Sequence, residues 1–471
     1  MALRRAYDWA SHFREGVPLS NLGRWVDSLM RRFVERIPPP AQDLHRRTKI
    51  VDVELSQPLS PIEVTGWTDA HVLVRLHGQP IGAIDLELTT GSVLSDVLEH
   101  TVRDRLGDAV RHHLRDDGIQ ESDQGPRHGL RHPCQERLHP GSAAPLVSVV
   151  VPTRDRADEL AVCLESMLRL EYPAFEVIVV DNGPSDDSTK YMVRERFGDE
   201  HRIRYIFEAR AGASLARNIG ARCSHGEFVA FTDDDAEVDS LWLAALVAGF
   251  RRDPRVACVA GLTLPSALET HAQQAFEVYG GMGLGYEPRV YDLVNNRGDT
   301  LLYPYTAGVF GASNNVALRR EEFLARGGFD VTLGPGTPAF GAEDLDLFLA
   351  LILDGWQIAY QPAATVRHAH RADFADLYWQ VFTYSAGMTV LLTKWALSDR
   401  SVAADLARRV PKLMPAALLR SHRSGAEVGV GEYSKQLRWL ERAGYLYGPV
   451  AYLRSRLAAR AKRRARSRQT H

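Results

Sequence analysis

From position 146 onward, short apolar runs of strand length alternate with segments of helical periodicity. The predicted strands are 147–152, 175–181, 203–206 and 227–232, and the predicted helices between them are 156–170, 187–197 and 213–223. Strands that alternate with helices form crossover units, so this pattern predicts an α/β fold with a doubly wound, mostly parallel sheet. Ligands of such sheets bind beyond the carboxyl ends of the strands, which makes polar residues at strand ends the candidates for function.

Three of the predicted strands end in polar groups. These are Pro152, Thr153 and Arg154 after the first strand, Asp181 after the second, and Asp233, Asp234 and Asp235 after the fourth. Three adjacent carboxylates repel one another unless a cation neutralises them. Hard divalent ions take oxygen ligands, and Mg²⁺ commonly joins one or two carboxylates to substrate phosphates. The sequence therefore predicts a divalent metal, Mn²⁺ or Mg²⁺, at this edge, with a solvated acidic turn as the structural alternative.

Four short motifs in this region occur in a characteristic order. They are the segments 149–154, 179–183, 212–218 and 231–235. Each is weak by itself, but together they resemble the family-two glycosyltransferases, which are inverting enzymes with the GT-A fold. The resemblance covers about 146–372, roughly half of the chain.

The resemblance implies roles for individual strand-end residues. Thr153 and Asp181 would hold the nucleotide base and ribose, with Pro152 and Arg154 beside them. Gly212 and Arg217 would lie against the base or the diphosphate, Asp233 and Asp234 would contact the donor, and Asp233 and Asp235 would belong to the metal site. The chain departs from the family pattern at Asp155, Arg156 and Asn182.

The second half of the resemblance supplies the remaining candidates. Asn315, in the segment 311–320, would line the donor-sugar pocket, or be part of a purely structural strand. Glu343 and Asp344 open a predicted helix and match the catalytic acidic pair, with Asp344 as general base and Glu343 as the alternative. Acidic residues in a first helical turn are also favoured by the helix dipole. His368, or His370 in its place, would complete the metal site.

These residues together predict a transferase. The expected reaction moves a sugar from a nucleotide-diphosphate sugar, with UDP the common choice in the family, to a hydroxyl on a glycan, a lipid-linked molecule or a small natural product. A sugar nucleotidyltransferase is the rival enzyme, but it would normally have a Gly-rich loop after the first strand. A non-catalytic sugar-nucleotide-binding protein is the third interpretation, which the acidic pair disfavours.

The flanking regions are predicted from periodicity and composition. Residues 1–45 contain an amphipathic helix (19–37), expected to dock on the protein itself rather than on a membrane. Residues 46–115 form a small β-rich domain with a hairpin turn at 77–80 and no clustered catalytic residue types. Residues 116–145 are a polar linker whose His128, His132 and His139 are expected to be solvated. After the catalytic domain (146–372), a helical region (373–453) precedes a basic tail (454–471).

Composition limits the partners and the location. The formal net charge of −2 gives no global field for nucleic acid. The four cysteines show no pair with metal-ligand spacing and do not form a disulfide framework, and the Arg-rich, Lys-poor composition suggests a GC-rich bacterial genome. A cytoplasmic protein is expected because no signal peptide or membrane span is visible. The basic tail is either solvated and disordered or a peripheral contact with anionic lipid at the inner face of the membrane.

Overall fold

The computed structural model describes residues 28, 31–32, 34, 36–37, 47–63, 65–88, 92–119, 133–138, 144–419 and 433–469. The strands are β1 (Thr48–Glu54), β2 (Ile62–Glu63), β3 (Asp69–Leu76), β4 (Gln79–Glu87), β5 (Ser92–Val93), β6 (Val147–Thr153), β7 (Phe175–Asn182), β8 (Ile203–Glu208), β9 (Phe228–Thr232), β10 (Ala236–Val238), β11 (Val256–Pro265), β12 (Arg289–Tyr291), β13 (Asn315–Arg319) and β14 (Gln357–His368). The helices are α1 (Ser95–Asp116), α2 (Pro133–Leu138), α3 (Ala157–Leu168), α4 (Ser188–Phe197), α5 (Ala213–Cys223), α6 (Trp242–Phe250), α7 (His271–Tyr279), α8 (Arg320–Ala325), α9 (Glu343–Leu353), α10 (Phe374–Ser398), α11 (Arg400–Leu419) and α12 (Tyr433–Gln469).

The central sheet has nine strands in the order β10-β14-β11-β13-β9-β6-β7-β8, and β12 pairs with β14 outside this path. Strands β6 to β9 pair in parallel, as do β11 and β14. Strand β13 runs antiparallel between β9 and β11. The predicted α/β fold with a doubly wound, mostly parallel sheet is confirmed. The antiparallel strands belong to the second half of the domain, where the chain does not repeat the strand–helix alternation of the first half.

Two apolar layers cover the two faces of the sheet. On one face, α3 and α6 form one apolar layer with alternate residues of β6 and β7, and Trp242 is fully buried there. On the other face, α5 and α9 pack on the intervening residues, with Phe348 fully buried. Central parallel strands are buried on both faces, which is why their sequences are continuous apolar runs without alternation. The sheet therefore holds its carboxyl edge, where the candidate residues lie, on a rigid base.

A separate small sheet precedes the catalytic domain. Strands β3 and β4 form the predicted hairpin, and β1 pairs in parallel with β3. The hairpin turn is His77-Gly78, with φ values of 56° and 80°, the positive pair that a two-residue hairpin turn of type I′ requires. Helix α1 covers this sheet, which has its own apolar core. The sheet contacts the larger domain through an ion pair between Arg75 and Asp239 (2.9 Å).

The region predicted as a linker contains a short helix, α2, which the polar composition did not reveal. Cys134 and Leu138 on α2 are buried, and Leu138 packs in a core layer of the large sheet. Six residues are too few to establish a periodic pattern among polar neighbours. The three linker histidines predicted to be solvated, at positions 128, 132 and 139, lie outside the described residues.

The N-terminal helical segment is described at only a few positions. Val34 is fully buried and packs with Phe276, Leu377 and Leu440. This packing agrees with docking on the protein itself. Ile37 also packs against this group, and the remaining apolar residues of the predicted helix 19–37 lie outside the described residues.

Helices α10, α11 and α12 follow the catalytic domain. Helix α12 continues to Gln469, so the interpretation of the basic segment as a disordered tail is wrong for the described part of it. Glycines bring α10 and α12 into close contact: a Cβ at Gly448 would lie 1.9 Å from Thr389 Oγ1, and one at Gly444 would lie 2.4 Å from the Phe382 carbonyl. Among the described helices, none combines the length and the hydropathy that a bilayer crossing requires.

Candidate active site

Two aspartates and a histidine converge at the carboxyl edge of the sheet. Asp233 and Asp235 follow β9, and β10 then pairs with the end of β14 so that Ala236 lies opposite His368. This register brings His368 Nε2 to 3.2 Å from Asp235 Oδ1 and 3.8 Å from Asp233 Oδ2. The three side chains offer ligand atoms that all lie within 4.8 Å of one another. We call them the strand-end cluster.

Charge within the strand-end cluster is balanced by its neighbours. Arg156 Nη1 donates to Asp235 Oδ2 at 2.8 Å and to Asp234 Oδ1 at 3.2 Å. Burial by itself would raise the pKa of Asp235, but the hydrogen bond and the charge of His368 outweigh it and lower that pKa. The pKa of His368 is raised for the same reason, against its burial. A cationic group thus already lies on each side of Asp235.

Asp234 points away from this cluster. Its Oδ2 accepts a hydrogen bond from the Thr153 hydroxyl at 2.9 Å, and burial raises its pKa to about 6. Thr153 is itself buried, so the pair joins β6 to the turn after β9. Both residues were predicted to contact the donor, and the structure shows their polar atoms engaged with each other.

A buried arginine connects the strand-end cluster to the acidic pair. Arg217, on α5, donates to Asp233 Oδ1 at 2.7 Å and to Glu343 Oε1 at 3.0 Å. Burial and the charge of Asp344 raise the pKa of Glu343, while Arg217 opposes this. Asp344 is less buried than Glu343 and accepts a hydrogen bond from the Ser313 amide at 3.0 Å. The two groups of acidic residues, although far apart in the sequence, therefore share one cleft.

The second predicted strand end holds Asp181, whose side chain is fully buried. Tyr205 donates to Asp181 Oδ2 at 2.8 Å, whereas the buried Oδ1 has no hydrogen-bond partner in the described part of the chain. Burial raises the pKa of Asp181. Asn182, where the chain departs from the family pattern, donates to the Thr153 carbonyl and accepts from the Gly212 amide at 2.8 Å. Asn182 therefore fixes the start of α5, and Asp181 retains an unused acceptor.

The family of this region follows from a direct comparison. Residues 148–314 match the family model described as "Glycosyl transferase family 2". The chain carries a family 2 glycosyl transferase domain. The matched segment takes in Asp181, Arg217, Asp233 and Asp235, whereas Asp344 and His368 lie beyond its end.

Known proteins similar to this chain include one of unassigned function and one named transferase. The uncharacterized protein y4gI of Sinorhizobium fredii is 33% identical over 251 residues, which are 50% of this chain and 26% of that protein. The glucosyl-dolichyl phosphate glucuronosyltransferase of Haloferax volcanii is 25% identical over 269 residues, which are 54% of this chain and 80% of that protein. A solved mannosyltransferase, PcManGT from Pyrobaculum calidifontis with GDP-Man and Mn²⁺, is 20% identical with a TM-score of 0.44, covering 64% of this chain and 87% of its own.

Asn315, predicted either to line the donor-sugar pocket or to belong to a purely structural strand, has its side-chain atoms bonded within the protein itself. It is 1% exposed, accepts from Trp242 Nε1 at 2.9 Å and donates to the carbonyls of Leu262 and Ala364 at 3.0 and 2.9 Å. These carbonyls flank an irregularity in the pairing of β11 with β14. The amide of Asn315 therefore compensates for ladder hydrogen bonds that are interrupted there.

The remaining predicted residues are more peripheral. Pro152 is buried within β6, and Arg154 is half exposed and pairs with Asp155 at 3.3 Å. His370, the alternative metal ligand, lies outside the strand-end cluster, because its Nε2 contacts Glu277 at 2.6 Å. Of the two histidines left open by the sequence, His368 is the one that meets Asp233 and Asp235.

One residue of the glycosyltransferase cleft was not singled out as functional from the sequence. Tyr384 on α10 is 49% exposed, whereas Tyr378 and Phe382 on the same helix are fully buried. Its hydroxyl pKa is raised by desolvation within the cleft, and further by the charges of Asp344 and Asp233. Gln380 donates to this hydroxyl at 2.9 Å. Most aromatic residues of α10 serve packing. The aromatic-rich sequence of this helix therefore does not distinguish Tyr384 from its buried neighbours.

Proposed function

We propose that this chain transfers a sugar from a nucleotide-diphosphate sugar to an acceptor hydroxyl, with inversion at the anomeric carbon and with a divalent metal ion. The observation that carries this proposal is the convergence of Asp233, Asp235 and His368 in the same cleft as Asp344. Arg217 joins the two groups directly.

The strand-end cluster has the composition of a divalent metal site. Two carboxylates and one imidazole suit Mn²⁺ or Mg²⁺ completed by diphosphate oxygens. Arg156 is long and partly exposed, so its guanidinium can leave Asp235 Oδ2 when a cation competes for that oxygen. The metal, when bound, would stabilise the negative charge that develops on the departing diphosphate. Arg217 keeps Asp233 oriented toward this position from its buried side.

Asp344 fits the role of general base better than Glu343. Glu343 is 3% exposed and its carboxylate is held by Arg217, so it cannot reach an acceptor. Asp344 lies at the start of α9, beside Tyr384, where an incoming hydroxyl has access. Removing the hydroxyl proton as the new bond forms is worth about 10²–10⁴-fold in rate. Direct displacement opposite the leaving group inverts the anomeric centre without a covalent intermediate.

Asp181 suits the nucleotide base. Its Oδ1, which is buried and has no partner among the described residues, would accept from a ring N–H donor such as that of uracil, as expected for a UDP-sugar. For the acceptor, the name of the Haloferax relative denotes a lipid-phosphate-linked sugar. A lipid-linked acceptor is one candidate class, beside glycans and small natural products, and the basic end of α12 would favour contact with an anionic membrane surface.

Nucleotide binding and turnover test this proposal. We expect a nucleotide-diphosphate sugar, a UDP-sugar first among them, to raise the melting temperature in the presence of Mn²⁺ and to lose this effect with EDTA. Release of the nucleoside diphosphate with an acceptor present, and an inverted anomeric signal by NMR, would complete the assignment. Pyrophosphate release from a nucleoside triphosphate would instead support the nucleotidyltransferase. No metal-dependent shift with any donor would contradict the proposal.

A further inference from the structure

A second group of metal-type side chains lies in the small N-terminal sheet and the segment after it, where the sequence showed no clustered catalytic residue types. This hairpin cluster consists of His77, His113, Asp117 and Cys134. His77 is in the β3–β4 turn, His113 and Asp117 are at the end of α1, and Cys134 is on α2. The side chains of His77, Asp117 and Cys134 are at most 2% exposed.

The atoms of the hairpin cluster are spaced like the ligands of one tetrahedral ion. His77 Nδ1 lies 3.2 Å from His113 Nε2, 3.3 Å from Cys134 Sγ and 3.4 Å from Asp117 Oδ2. Asp117 Oδ2 lies 3.6 Å from His113 Nε2. Tetrahedral zinc with bonds of about 2.0–2.3 Å places its ligand atoms about 3.3–3.7 Å apart. Three of the four measured separations lie in that range, and the fourth, 3.2 Å between the two imidazoles, is just below it.

Local structure explains how these atoms meet. His113 and Asp117 are four positions apart, so they lie on the same face at the end of α1. His77 adopts a φ of 56°, a left-handed conformation that is uncommon for residues other than glycine. Glu54 holds this turn by accepting from the His77 amide at 2.9 Å and from the Gly78 amide at 2.8 Å. The turn is thus fixed with the imidazole of His77 directed inward.

Charge and outer contacts are also those of a metal site. Outside the cluster, none of the residues that the structure describes donates to the buried Asp117 Oδ2, while Arg137 donates to Oδ1 at 2.7 Å and orients the carboxylate. A thiolate and a carboxylate carry two negative charges, which suit a divalent ion, and two neutral imidazoles would complete its shell. A cleft lined by His113, Cys134 and Arg137 reaches the cluster from solvent.

We propose that the hairpin cluster binds a structural zinc ion. Four protein ligands leave no open position for substrate, which is the arrangement of structural rather than catalytic zinc. The ion would join three segments that are far apart in sequence: the β3–β4 turn, the end of α1, and α2. Because Leu138 of α2 packs in the core of the glycosyltransferase domain, zinc would fix the small sheet to that domain.

Metal analysis of the full chain tests the site. The protein, purified without a polyhistidine tag from zinc-supplemented cells and washed briefly with EDTA, should retain one equivalent of zinc. The variant Asp235→Ala should retain the same amount, because the strand-end cluster is a different site. Cys134→Ser and His113→Ala should lose the zinc, whereas Cys223→Ser, which removes a cysteine outside the cluster, should keep it.

Cobalt provides a readout that does not depend on the stability of a variant. Co²⁺ added to metal-free wild-type protein should produce thiolate-to-metal charge-transfer absorption, which Cys223→Ser should reproduce and which added Zn²⁺ should abolish. Chelation of the zinc should also lower the melting temperature of the wild-type chain. Wild-type protein that neither holds zinc nor shows the cobalt–thiolate absorption would overturn the proposal, as would unchanged zinc in both ligand variants.

Discussion

The structural role of Asn315 makes a quantitative prediction for Asn315→Ala. The substitution leaves three groups without a partner in a dry interior: the indole N–H of Trp242 and the carbonyls of Leu262 and Ala364. Each unsatisfied buried group costs about 1–3 kcal/mol. We therefore expect a loss of about 3–9 kcal/mol in the free energy of unfolding, which is the sum of three such costs.

The assay combines urea unfolding, followed by tryptophan fluorescence, with measurement of donor affinity. Trp242→Phe, which leaves only Asn315 Oδ1 unpaired, should cost about 1–3 kcal/mol. Trp242→Phe should cost less in the Asn315→Ala background, where the indole N–H of Trp242 has already lost its acceptor. The neighbouring variant Asn314→Ala is the control, because Asn314 has a single long hydrogen bond of 3.4 Å, to Thr263. Near-normal stability of Asn315→Ala together with weakened donor binding would refute the structural role and restore the donor-pocket assignment.

Three further predictions concern carboxylates. Asp344→Asn should lower the transfer rate about 10²–10⁴-fold while nucleotide affinity, measured by calorimetry, stays near normal, and loss of donor binding would reject Asp344 as the base. Asp235→Ala should abolish the turnover that Mn²⁺ or Mg²⁺ supports. Undiminished metal-dependent turnover would remove Asp235 from the ligand set. Asp292 accepts three backbone amides, which against its burial lower its pKa to about 2. The ionised Asp292 carboxylate should contribute its full stabilisation above its ordinary pKa of 3.8 and lose it as the pH falls from there to about 2. The free energy of unfolding of Asp292→Asn, measured against pH, should lack this loss.

Much of the first half of the fold could be predicted because its signals are local. Continuous apolar runs mark β6, β7 and β9, and the polar residues that end them are adjacent in sequence. The register of β10 with β14 depends on long-range pairing, so no local pattern could show that His368 rather than His370 would meet Asp235. The family resemblance supplied the candidates, and the fold distinguished them.

Other features were hidden by their dependence on tertiary contacts. The pairing of Arg217 with Glu343 joins residues 126 positions apart. The hairpin cluster combines a turn, a helix end and a six-residue helix, and only the spacing of His113 and Asp117 is visible in the sequence. The role of Asn315 stayed open in the sequence because a polar residue at a strand end has the same appearance whether it serves a ligand or an interrupted sheet.

The close approach of α10 and α12 through glycines limits how the cleft can be altered. A Cβ at Gly387, also on α10, would lie 3.0 Å from the carbonyl of Gly341, just before the acidic pair. Helix α10 thus contacts the backbone of α12 on one side and of the Gly341 segment on the other, which leaves no space for it to slide or tilt. Attempts to broaden the range of accepted molecules by engineering should therefore exchange side chains such as Tyr384 on its open face, because repositioning the helix would require rebuilding both neighbours.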